Sequence, residues 1–155
     1  MNPGLHKRAA QKALFLGIGS PFGEDILGWQ LLDALQGRNP AWPGYELAFA
    51  KVDRPGAGLL QLMQGQQLVV LLDALDAGLP KGAVRLLERG HLAEFARPRS
   101  SHSFGVAESL ALGETLQMLP ASLYLLGIQM GGGLPPQAVD AALAELDDLL
   151  ERNLC

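Results

Sequence analysis

Three places in this chain put polar, metal-capable side chains where apolar strands would not place them without reason. An apolar run ends in "GIGSPFG" and passes straight into the acidic pair Glu24-Asp25. The run "QLVVLLDAL" carries Asp73 near its end, with Asp76 just beyond. The loop "SSHS" sets His102 immediately ahead of a helix-like segment. Two carboxylates and an imidazole form an O/O/N donor set suited to a divalent transition metal, and three protein ligands leave coordination positions open for substrate or water. Each residue also has a plain structural reading. Acids in a first helical turn complement the helix dipole, Asp73 can brace a turn, and a histidine between serines can cap a helix.

The elements that would position these residues alternate along the chain. Strand-like runs cover residues 13–19, 45–52, 67–75, 82–88 and 122–129, with the first, third and fifth mostly apolar, as strands covered on both faces are. Helical spacing covers residues 24–37, 58–65, 103–119 and 136–154; in the last, Val139, Ala142, Leu143, Leu146, Leu149 and Leu150 form one face and Pro136 suits the first turn. Five strands interleaved with four helices imply a sheet between two helix layers. Ligand sites in such sheets lie beyond the carboxyl ends of the strands, where all three polar places fall.

Composition narrows the function classes. The chain has 155 residues, 48% of them hydrophobic and 18% charged, which suits one compact domain with a substantial core. A net charge of −4 argues against a nucleic-acid surface. The single cysteine, Cys155, excludes a disulfide framework or a cysteine zinc cluster. No run reaches the roughly 18 apolar residues of a membrane span, so no membrane insertion and a cytoplasmic location are expected. Residues 1–11 read as a flexible N-terminal tail of a single domain spanning 1–155. A dinucleotide site is disfavoured, because Phe22 stands where the fingerprint needs glycine and the acidic pair would repel a pyrophosphate. The serines near the two loops lack a nucleophile-elbow context. The glycine-rich "QMGGGLPP" reads as a connector.

The segments "GIGSPFGEDILGWQLL", "VVLLDALDAGLPKGAVRLLE", "SSHSFGVAESLALGETLQMLP" and "LYLLGIQ", in this order and spacing, resemble the [NiFe]-hydrogenase maturation endopeptidases over nearly the whole chain. The resemblance implies a three-layer α/β/α sandwich around a five-stranded, mostly parallel twisted sheet, of the phosphorylase/hydrolase-like kind. It implies a metal-dependent, aspartic-type endopeptidase that removes the C-terminal extension of a nickel-loaded [NiFe]-hydrogenase large-subunit precursor. Nickel would come with the precursor rather than reside in the enzyme. The family's nickel-contacting positions fall on Asp25, Asp73 and His102, as both metal ligands and catalytic residues. The loop departs from the family pattern in having Ser20 for an asparagine, one residue fewer before the acids, and Ile26 for a glycine. The spacing to Gly28 and Trp29 favours Asp25 over Glu24, which stays the alternative. A non-catalytic, nickel-dependent assembly factor would use the same three ligands.

Overall fold

The computed structural model describes residues 10–19, 26–53, 58–91 and 104–154. In chain order these form β1 (Gln11–Gly19), α1 (Leu27–Gly37), β2 (Tyr45–Asp53), α2 (Gly58–Met63), β3 (Leu68–Leu75), β4 (Val84–Glu88), a 3₁₀ turn (Arg89–His91), α3 (Phe104–Leu116), β5 (Ser122–Gln129) and α4 (Pro136–Arg152). The strands make one sheet in the order β2-β1-β3-β5-β4. All neighbours are parallel except β4, which runs antiparallel to β5 at the edge.

The hydropathy of each strand follows its place. Every residue of β3, the central strand, is buried, whereas the edge strands β2 and β4 alternate between half-buried and exposed positions. The two-residue period of the strands then divides the core into two layers. Ala13, Phe15, Val70 and Leu72 pack with Leu31 and Leu35 of α1 and Ala142, Leu146 and Leu149 of α4. Leu16, Ile18, Val69 and Leu71 pack on the other face with Leu59 and Met63 of α2 and Val106 and Leu110 of α3. The result is the expected three-layer α/β/α sandwich around a five-stranded, mostly parallel sheet.

The element boundaries shift where the chain uses local geometry that composition hides. The third helix stops at Leu116 rather than Leu119, because Gln117 takes a left-handed conformation (φ 56°) and the Met118 N–H returns to the Gly113 carbonyl at 2.9 Å. That is a Schellman closure made without glycine. Gly113 is tolerated inside α3 because a side chain there would run into Leu60 of α2. Among the described residues, no helix is long and apolar enough to cross a membrane.

Candidate functional site

The strand order fixes where a site can form. The chain leaves β1 for β2 on one side and then crosses to β3 on the other, so the crevice lies between the carboxyl ends of β1 and β3. Pairing of these two strands ends at Gly17 opposite Leu72. Asp73 is the next residue of β3, at the point where the strands part.

Helix α1 descends into this fork. A Cβ on Gly28 would collide with the carbonyl oxygens of Ile18 and Leu72, and one on Gly17 would lie 2.8 Å from the Gly28 carbonyl oxygen. The two glycines let the first turn of α1 rest directly on the strand ends. Trp29, the next residue, donates its indole N–H to the Val52 carbonyl of β2 at 3.1 Å. The start of α1 is thereby tied to three strands at once. The helix itself begins at Leu27, after Ile26, with no side-chain cap. Glu24 and Asp25, expected in its first turn, lie outside the described residues.

Asp73 has no solvent exposure. By strand alternation it shares the α2/α3 face with Val69, Leu71 and Leu75, which all belong to that apolar layer. Its Oδ1 accepts the N–H of Ala74 at 2.7 Å. Its partner position on β5 is Gly127, so no side chain stands beside it there, and the Leu75 side chain closes over that glycine. Helix α3 covers the same face through Val106 and Leu110 and begins at Phe104. His102, two residues earlier in sequence, lies outside the described residues.

Of the three expected ligands the structure therefore locates Asp73 alone. Among the described residues no three His, Cys, Asp or Glu side chains group as metal ligands. Asp76 is exposed in the turn after β3, and His91 is exposed in the 3₁₀ turn. Two residues not singled out in the sequence also stand at this edge. Asp53 ends β2 opposite Gly19. Gln129 ends β5 opposite Leu75 and is almost fully buried. Asp53 could have been found from its place at the end of a strand pattern, whereas Gln129 carries no signal beyond being a polar residue at the end of an apolar run.

Residues 55–142 match the hydrogenase maturation protease family. The chain is 29% identical over 153 residues to the hydrogenase expression/formation protein HupD of Thiocapsa roseopersicina, spanning 93% of this chain and 68% of that protein. It is 28% identical over 149 residues to the hydrogenase expression/formation protein HoxM of Cupriavidus necator, spanning 88% and 73%. Its fold is similar to that of the hydrogenase maturating endopeptidase HybD from E. coli, with a TM-score of 0.68 at 22% identity over 90% of each chain. The [NiFe] hydrogenase maturation protease HybD from Thermococcus kodakarensis superposes with a TM-score of 0.62 at 22% identity, over 94% of this chain and 100% of that one. With a central sheet whose switch point holds a buried aspartate, and a family match over more than half its length, this chain belongs to the hydrogenase maturation protease family.

Proposed function

We propose that this protein is a cytoplasmic endopeptidase, formed as one domain over residues 1–155, that removes the C-terminal extension of a nickel-loaded [NiFe]-hydrogenase large-subunit precursor. The observation that carries the reading is Asp73, a fully buried carboxylate at the switch point of the sheet in a chain of this protease family. A carboxylate held in an apolar layer costs stability relative to a hydrophobic residue of its size, and a role in binding a metal would account for its being kept there.

In this reading Asp25, Asp73 and His102 grip the nickel that the precursor brings. Three protein ligands leave room for the substrate's own atoms, so the enzyme engages only a precursor that has received its metal. The grip fixes the scissile peptide at the strand ends. There the ion polarises the peptide carbonyl or activates a water, which needs no separate protein nucleophile. Gly28 and Gly17 serve this arrangement by seating the start of α1 on the β1/β3 fork, next to the strand end that carries Asp73.

The test is the mass of a nickel-loaded precursor before and after incubation with this protein. Loss of a C-terminal peptide is the expected result. An unchanged mass with a stable complex would instead make the protein a non-catalytic assembly factor. Omitting nickel from the precursor separates metal-dependent recognition from recognition of the polypeptide alone.

A further inference from the structure

Gln129 is 6% exposed, and its side chain donates from Nε2 to the Met130 carbonyl at 3.5 Å while its oxygen serves the neighbouring turn. Its Oε1 accepts the N–H of Ala77 at 2.9 Å and the N–H of Leu79 at 3.2 Å. Its main chain serves the same connection. The Gln129 N–H donates to the Ala83 carbonyl at 2.8 Å, and the Gln129 carbonyl accepts the N–H of Gly82 at 3.1 Å. One residue further, the Met130 N–H donates to the Leu75 carbonyl at 2.9 Å. The segment from β3 to β4 is therefore wrapped around one residue of β5.

The physical need is plain. Beyond Leu75 the β3 backbone has no further strand partner, since its pairing with β5 ends at Gln129. The turn reverses at Gly78, whose φ of +71° is in the left-handed region. The N–H groups on either side of it point inward together. A carboxamide oxygen has two lone pairs and satisfies both. An apolar side chain at position 129 would leave both donors to water and release the turn.

We propose that Gln129 is a positioning residue for the candidate site, clamping the Asp76–Leu79 turn and so fixing the exit of β3 that carries Asp73. Alternation puts Gln129 on the same sheet face as Asp73, because Leu123 and Leu125 of β5 belong to the α2/α3 layer. The clamp acts through the backbone and touches no substrate. This inference rests on the reading of Asp73 under Proposed function.

The experiment compares Gln129→Met, which keeps length and removes the acceptor, with Gln129→Glu, which keeps it. Precursor processing is measured alongside amide hydrogen exchange. For Gln129→Met, kcat should fall about tenfold or more while KM stays within about twofold, as displacement of a reacting group dictates. Exchange at the Ala77 and Leu79 amides should speed by about tenfold or more. Gln129→Glu should retain amide protection and keep kcat within about threefold of the parent. The proposal is overturned if Gln129→Met leaves exchange unchanged, if exchange speeds while kcat holds, or if Gln129→Glu stays protected yet loses kcat as Gln129→Met does. Should the parent protein cleave no precursor, the proposed function fails. Binding of the nickel-loaded precursor then replaces turnover beside the same exchange measurement.

Discussion

At the amino end of the sheet, polar side chains are bonded to one another and to the last helix; at the carboxyl end, a carboxylate is sealed into an apolar layer. Asn153, just past α4, donates to the Leu149 carbonyl at 2.8 Å and to the Tyr124 hydroxyl at 3.0 Å, and accepts from the Ser122 hydroxyl at 3.0 Å. Its carbonyl accepts from the Gln11 side chain. Trp42 donates to Asp147 at 2.6 Å, and Tyr45 to the Leu150 carbonyl at 2.6 Å, along the same helix. These contacts join β1, β2, β5 and α4 and need nothing from outside the chain. The carboxyl end instead combines Asp73 with close glycine packing at Gly28 and a loop held by Gln129. In the proposed reading, the amino end serves stability and the carboxyl end serves the chemistry.

The largest effect expected on this division is that of Asp73→Asn. Asparagine keeps the shape and the acceptor for the Ala74 N–H, so the melting temperature should stay within about 3 °C. Processing of the nickel-loaded precursor should fall by about a thousandfold or more, because the neutral amide is a poor ligand for a divalent cation. His102→Ala should abolish processing in the same way. Full activity in either variant, with the precursor's mass as readout, would remove that residue from the ligand set.

Gly28→Ala should come next and blur the division on purpose. The new methyl meets two backbone carbonyls, which cannot rotate away as a side chain could. The helix must lift from the strand ends, at a cost of about 2–4 kcal/mol. Chemical denaturation measures the loss, and processing measured well below the melting temperature should fall too. Loss of stability with full specific activity would show that α1 does not hold the site.

Much of this arrangement can be read in the sequence, and the parts that cannot have physical reasons. Strands β1, β3 and β5 announce themselves because a strand buried on both faces is apolar at most positions. Asp73 is visible for the same cause, as a charge breaking such a run. The end of α3 is hidden because Gln117 adopts a conformation that glycine usually signals. Helix α1 is described from Leu27, and the acids expected in its first turn, Glu24 and Asp25, lie outside the described residues. Gln129 is hidden more deeply. Its role depends on two amides some fifty positions earlier, and no local pattern encodes that contact.

At the amino end, Asn153→Ala tests the other half of the division. It removes the side-chain contacts to Leu149, Tyr124 and Ser122. With the hydroxyls free to find water, the expected cost is about 1–3 kcal/mol. Denaturation should detect this loss, while kcat on the precursor should match the parent at temperatures where both are folded. A fall in kcat without a fall in stability would mean that the two ends are coupled through β5.

The smallest effect should come from Tyr45, and it appears only in alkali. Burial, and then the neighbouring Tyr124, raise its pKa above the ordinary value of 10.0. The folded state thus holds the phenolic proton to higher pH than the unfolded chain does. Below the unfolded pKa both states are protonated, and the contribution to stability is fully present. As pH climbs past that value, the unfolded chain releases its proton first, and stability falls until the folded pKa is passed. Tyr45→Phe should lower stability slightly at neutral pH by removing the bond to Leu150, and should flatten the decline above about pH 10. Urea midpoints from pH 8 to 11 follow both changes. An undiminished alkaline decline in Tyr45→Phe would show that the Tyr45 phenol is not its cause. Processing rates should be indifferent to the substitution, since the phenol lies at the end of the sheet opposite the proposed site.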